Sequence, residues 1–424
     1  MNKIGSIIKK DGFKTVTSSV LCIFAGLLTG AIIIILVGGT NSKFNLQSIS
    51  DGIRLIFFGI FSTGRNEAGQ LTFGFNPVNI GNLLFRATPI IMTGLSVALA
   101  FKSGMFNIGA PGQYLIGTAA SLFVALSVPS SSLPAWIIWI LALLSAMLIG
   151  GLWGAIPGIL KAKFNINEVL SGIMTNWIAA NLVTAFFENS PLRNTADSGK
   201  IGYVMPSIKN NVATAKLGLD KIFSGSQVNA GIIIAVLFAI LIYIIISKTT
   251  FGFELKACGN NKFAAKYAGI RENRTIILSM AFAGSLAAAG AALYYLSGNT
   301  EFFWSTYQTL PSEGFNAIPV ALLAANNPIG VIFTGCFMSM LNIAGQQLKN
   351  LTAFNEYISD IIIAVIVYLS AFSLLIKEFI IKRKSGRALK VKDTSQVSAD
   401  SDSEILQNLS EKNYDTPSIN KEEQ

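Results

Sequence analysis

Apolar residues in this chain fall in long unbroken blocks, not in the alternating or 3.6-residue rhythms of a half-buried strand or surface helix. Ten blocks stand out, at 16–38, 80–101, 105–128, 134–160, 168–187, 229–248, 276–298, 314–326, 329–346 and 359–381. About 20 apolar residues in helix cross a hydrocarbon layer of about 30 Å. The pattern therefore predicts an all-α, polytopic transmembrane bundle of about ten spans. Two regions depart from it. Residues 105–128 open on a polar and glycine-rich stretch. Residues 314–346 divide at Asn326, Asn327 and Pro328, and the first piece makes only about 20 Å of helix. Short or broken helices are expected at both places. Such breaks survive at membrane depth only where protein or a water-filled cavity surrounds them.

The polar segments between blocks define the organisation. Residues 1–15 form a cytoplasmic N-terminus, 16–381 the membrane domain and 382–424 a tail. Asp393 to Gln424 carries eight acidic and two basic residues with little apolar content, which predicts a disordered cytoplasmic tail. Residues 39–79 are an outer stretch in which the short apolar piece Ile53–Phe61 fits the interface. Residues 188–228 are a second, longer outer loop, either functional or a loose spacer. Residues 249–275 are a basic cytoplasmic loop.

Charge orients the spans. Hydrophobic types make up 52% of the chain and charged types 13%, half the usual share of about 25%, which argues against a soluble domain. Basic residues gather at Lys3, Lys9, Lys10 and Lys14, at Lys161 and Lys163, and from Lys256 to Arg274. A last cluster comprises Lys382, Arg383, Lys384 and Arg387. All lie on one side only if the number of crossings is even and 314–346 crosses twice, which places both termini in the cytoplasm. The net charge of +10 then follows from topology and implies no nucleic-acid partner. With no histidine, imidazole chemistry is excluded, and Cys22, Cys258 and Cys336 have neither ligand spacing nor an even count.

Small residues mark packing faces: Gly26 and Gly30, then Gly150, Gly154 and Gly158, then the run Gly284–Ala292. Arg86 stands early in the second span, where it either reaches the outer interface, pairs or faces water. Glu168, preceded by Asn167, opens the fifth span, where a helix N-terminus favours a carboxylate. No carboxylate reads as central to a span, which weighs against ion-coupled secondary transport. The amides of Asn107, Gln113, Asn176 and Asn327 either line a polar path or satisfy backbone groups at helix breaks.

In the basic loop, Asn260 or Asn261 caps a short helix beginning near Lys262. Phe263, Ala264, Tyr267 and Ala268 form its apolar face, and Gly269 stops it. Such a helix either docks a partner or rests on lipid headgroups.

Four motifs occur in order across residues 80–380. They are Gly259-Asn260 followed by Ala264, Ala265, Tyr267, Ala268, Gly269 and Ile270; Phe106-Asn107-Ile108-Gly109-Ala110-Pro111-Gly112-Gln113; Asn167-Glu168-Val169-Leu170 with Met174, Thr175 and Asn176; and Gly314-Phe315-Asn316-Ala317-Ile318 through to Asn327-Pro328. Together they resemble the membrane permeases of ABC importers for branched-chain amino acids, ribose and nucleosides, and most closely the nucleoside branch. Pro111 and Asn326 depart from the family pattern, which often has a polar residue at the first and glycine at the second.

The resemblance implies a multi-pass plasma-membrane permease that carries no ATPase site and no cofactor. The chain indeed has no G-x-x-x-x-G-K-[ST] loop. It implies as partners a separate ATP-binding subunit, a second permease subunit (the same or a paralogue), an extracellular substrate-binding lipoprotein and the membrane lipid. The substrate would be a nucleoside, with ribose-like sugars or branched-chain amino acids as the alternative. It also implies that Gly259, Asn260, Ala264, Ala265, Tyr267, Ala268, Gly269 and Ile270 couple the permease to the ATPase.

Overall fold

A computed structural model describes residues 11–40, 46–195, 198–304, 309–355 and 357–371. The first ten residues, the basic cluster at 382–387 and the acidic tail lie outside the described residues, and with them the expectations for both termini. The described part from Ser19 to Ala371 forms one compact unit.

Its helices are α1 (Asp11–Thr40), α2 (Leu46–Phe58), α3 (Pro77–Lys102), α4 (Ala110–Ser127), α5 (Ala135–Phe164), α6 (Glu168–Glu188), the single turn α7 (Leu219–Ile222) and α8 (Gly231–Lys248). They continue as α9 (Thr250–Asn260), α10 (Lys262–Tyr267), α11 (Glu272–Tyr295), α12 (Ser312–Leu323), α13 (Pro328–Leu351) and α14 (Tyr357–Ala371). Seven described helices are long and apolar enough to cross a membrane: α1, α3, α5, α6, α8, α11 and α13. The expected short elements are α4, which starts at Ala110, and α12, which ends at Leu323.

Close backbone approach builds the centre. Gly150, Gly154 and Gly158 of α5 lie one turn apart and face α11. A β-carbon on Gly154 would stand 2.9 Å from the Gly284 Cα, and one on Gly158 3.1 Å from the Ile277 Cα. In lipid no hydrophobic effect drives helices together, so this contact supplies the attraction through dispersion and close fit. Gly117 of α4 meets the Ala288 backbone on another side of α11, and Gly290 meets α3 at Met92 and Pro89. Helix α11 is thus the hub, and α3 beside it is buried on nearly every side. Gly26 and Gly30 use the same device to seat α1 on Ile366 and Ile362 of α14.

The segment 39–79 is more structured than its pattern implies. After α2 comes a hairpin of β1 (Ser62–Arg65) and β2 (Leu71–Phe73), antiparallel with Arg65 opposite Leu71 and a bulge between Ser62 and Gly64. Arg65 pairs with the buried Asp51 of α2 at 2.8 Å and donates to the Leu351 carbonyl at the end of α13. The loop 188–228 is likewise ordered where described. Asn210 donates to the Ala125 carbonyl, Trp139 donates to Thr214, and Val204 packs with Phe187, Phe302 and Trp304. The loose-spacer reading is therefore corrected: backbone bonds between Val204 and Phe302 and between Trp304 and Gly202 fix this loop to the end of the bundle.

Gly284→Val places branched carbons against the α5 backbone, which cannot yield as a side chain does. The expected cost is about 3 kcal/mol, read as a lower melting temperature of the detergent-purified protein. Gly39→Val, where nothing lies within 4 Å, is expected to leave it unchanged.

Candidate functional site

Of the amides singled out in the sequence, Asn176 and Asn327 bond backbone groups at helix breaks, and Asn107 and Gln113 bond side chains beside one. Between α3 and α4 the chain leaves helix, and the freed backbone groups need partners. Asn107 and Gln113 clasp each other through two amide bonds of 2.9 and 3.1 Å, and Asn107 also donates to Ser96. Asn176 reaches across from α6, donating to the Ile108 carbonyl at 2.9 Å and accepting from the Gly112 N–H at 2.8 Å. All three amides are 1% exposed. Asn327 caps α13, accepting from the Ile329 N–H. Glu168 pairs with Lys161 at 2.9 Å across the α5–α6 turn. The departures also have local reasons. Pro111 lies in the first turn of α4, directly against Gly314. Asn326 adopts φ 56°, the left-handed conformation that glycine takes without strain.

At one end of the bundle stand α9 and α10. The basic loop is mostly helical, with α9 capped by Thr249 and burying Leu255 and Cys258. Burial pushes the Cys258 thiol above its ordinary pKa, and Glu272 adds to this. Gly259 lies so close to the Lys102 carbonyl and to Gly104 that α9 rests directly on the end of α3. Gly259 and Asn260 therefore close α9 instead of opening α10. The cap of α10 is Asn261, whose Oδ1 accepts from the Ala264 N–H. Gly269 at φ 81° ends it. Ala265 is the buried side and Ile270 is half-buried. Ala264, Ala268 and Gly269 are exposed, Phe263 is 74% exposed and Tyr267 94%. The expected apolar face thus points away from the protein body, and eight sequence-selected residues meet here in one projecting knob with its supporting turn.

The third feature went unseen in the sequence. A cleft of about 680 Å³ opens between α3, α12, α13 and α14. Its polar lining includes Arg86, Glu313, Asn316, Asn342, Gln346 and Asp360, with aromatic surface from Phe315 and Tyr357. Its depth follows from one bond. The Thr93 hydroxyl donates to the Glu313 carbonyl at 3.0 Å. Thr93 is about 24 Å along α3 and Arg86 about 13 Å along it, at 1.5 Å per residue. Helix α12 therefore starts inside the bundle, not at its surface, and the cleft reaches from the first turn of α14 down to that depth. Arg86 lines this cleft, which fits the reading in which it faces an open polar space. Glu313 stands at the start of a 12-residue helix between blocks, where a hydropathy window hides it.

Comparison with known proteins accounts for this arrangement. The family model described as "Branched-chain amino acid transport system / permease component" matches residues 79–371. The chain is 34% identical to the guanosine ABC transporter permease protein NupP of Bacillus subtilis, over 84% of this chain and 93% of that one. It is 35% identical to the nucleoside ABC transporter permease protein NupB of Lactococcus lactis, over 75% of this chain and 90% of that one. The glucose ABC transporter permease protein TsgB13 of Haloferax volcanii is 32% identical over 67% of this chain and 74% of its own length. With its membrane-length helices and a match across nearly the whole bundle, the chain belongs to the branched-chain amino acid transport system permease family and is a multi-pass, non-catalytic transport subunit of the plasma membrane.

Proposed function

We infer that this chain is the membrane permease of an ATP-driven importer for nucleosides, working with an ATP-binding subunit and a substrate-binding component. The similarity to the guanosine and nucleoside permeases over most of both chains carries this reading. A second permease subunit completes the path, and the substrate-binding component is an extracellular lipoprotein. The glucose permease relative gives one competing substrate class, a free sugar, and the family description gives another, branched-chain amino acids.

The chain's course supports ten crossings. Helix α4 runs from the α9 end of the bundle to the end that holds Asn210, α12 runs inward from mid-depth, and α13 and α14 return and descend. Lys161, Lys163, Lys256, Lys262, Lys266, Arg271 and Arg274 then share one face, which the positive-inside rule assigns to the cytoplasm. On this reading the domain spans 16–381, with 39–79 and 188–228 outside and 249–275 inside. The knob of α10 receives the ATP-binding subunit: Ala264, Tyr267 and Ala268 form the contact, while Gly259, Asn260, Ala265, Gly269 and Ile270 hold its shape. Two aromatic rings exposed on a rigid, capped turn fit a protein pocket, since aromatic anchors dominate such contacts.

Cells carrying the gene are expected to take up labelled guanosine or adenosine, with ATP required and uptake surviving collapse of the proton gradient. Excess glucose or ribose is expected not to compete. Uptake that followed the proton gradient alone would replace this reading with a secondary transporter. Tyr267→Asp and Ala264→Asp are expected to lower uptake about tenfold or more while the protein stays in the membrane.

Sidedness has its own test. Tyr267→Cys is expected to react in intact cells with a membrane-permeant maleimide and not with a charged, impermeant one. The native Cys258 is buried and weakly acidic, so it is expected to react about ten times more slowly or less.

A further inference from the structure

We propose that the cleft between α3, α12, α13 and α14 is the intramembrane resting site of the ligand, with the Glu313 carboxylate holding two adjacent sugar hydroxyls and Phe315 and Tyr357 receiving the flat base. The inference rests on the proposed function for its ligand and goes beyond it by assigning the site and the discriminating residue.

The lining carries the argument. A volume of about 680 Å³ falls in the range of small-molecule sites, roughly 300–1,000 Å³. Charged groups at this depth are costly unless they pair or meet water or a polar ligand. Arg86 and Glu313 both face the cleft although the bundle has ample apolar surface to replace them. The Glu313 carboxylate has only local donors, its own backbone N–H and the Ser312 hydroxyl at 3.4 Å. Its main chain is pinned by Thr93 at 3.0 Å, so the carboxylate is held in place at the start of α12. A carboxylate is an acceptor-only group with two oxygens side by side. It is matched by a ligand that offers two neighbouring O–H donors. Arg86 offers only donors, and Asn316, Asn342 and Gln346 offer both donors and acceptors, which fits the mixed edge of a heterocyclic base. Asp360 adds a second carboxylate to the wall.

The test compares adenosine with 2′,3′-dideoxyadenosine in intact cells expressing the complete transporter. Glu313→Gln is expected to slow adenosine uptake about tenfold or more and dideoxyadenosine uptake about twofold or less, because the dideoxy analogue lacks the hydroxyls that the carboxylate holds. A structural role for Glu313 would slow both equally, and that result overturns the assignment. A second measurement needs no variant. In the transporter trapped during turnover, 8-azidoadenosine is expected to label Phe315 or Tyr357, and labelling confined to α5, α6 or α8 would overturn the site. Absence of nucleoside uptake in unsubstituted cells would remove the functional reading and this inference with it. Normal uptake with an unaffected Glu313→Gln removes the cleft alone.

Discussion

The constraint that shapes this protein is the lack of water inside the bilayer to satisfy a freed backbone group. A helix satisfies its own N–H and C=O groups, so most of the chain is helix. Two of the departures from helix inside the bundle have a side chain assigned to their backbone groups. Asn176 serves both a carbonyl and an N–H at the start of α4, and Asn107 and Gln113 lock the turn beside it. Asn327 caps α13, while the first turn of α12 has no side-chain cap and is tied to α3 by the Thr93 hydroxyl on the Glu313 carbonyl. Without Asn176 and Asn327 the breaks before α4 and α13 would leave backbone groups unpaired at those sites.

Close packing serves the same end from the other side. Broken helices have little surface of their own to bury. They are held because α11 and α5 approach through glycine and alanine, leaving room for α4 on one side of α11 and α3 on another. Of the membrane-length helices, α3 and α11 are the most enclosed, while α5, α6 and α8 expose a larger share of their apolar surface and carry none of the cleft lining.

Much of this was legible in the sequence because hydropathy and capping act locally. The seven membrane-length helices, the shortness of α12 and the stop at Gly269 follow from apolar length and from glycine's freedom at φ 81°. The glycine faces were also readable, since spacing of four residues puts them on one side of a helix. What stayed hidden depended on tertiary context. Helix α9 has few apolar residues and is held by Leu255 and Cys258 packing inward. The segment around Arg65 is ordered by a partner carbonyl 286 residues away. Glu313 and Asp360 sit at helix starts, where a carboxylate reads as an ordinary helix-end charge. Only the fold shows that these starts face one cavity together with Arg86. Phe263 and Tyr267 were recognised as an apolar face, but whether that face turned inward or outward depended on Ala265 being the residue that packs.

The two functional features share one element. Helix α3 meets Gly259 at its far end and carries Thr93 and Arg86 along its length. Its interior has no loop to absorb displacement, and it is enclosed by α8, α11, α12 and α13. In the reading proposed above, force on the α10 knob would pass to α9 and then, through the Gly259–Lys102 contact, to the end of α3. A glycine at that contact removes the side chain that would otherwise cushion it. A shift of α3 moves Arg86 directly, and moves Glu313 through the Thr93 bond. In the reading proposed above, the same hydrogen bond that sets the depth of the cleft therefore also ties its shape to the far end of the bundle. An importer needs such a link, because ATP hydrolysis at one end has to alter the ligand's surroundings at the other by favouring a second arrangement of packed helices.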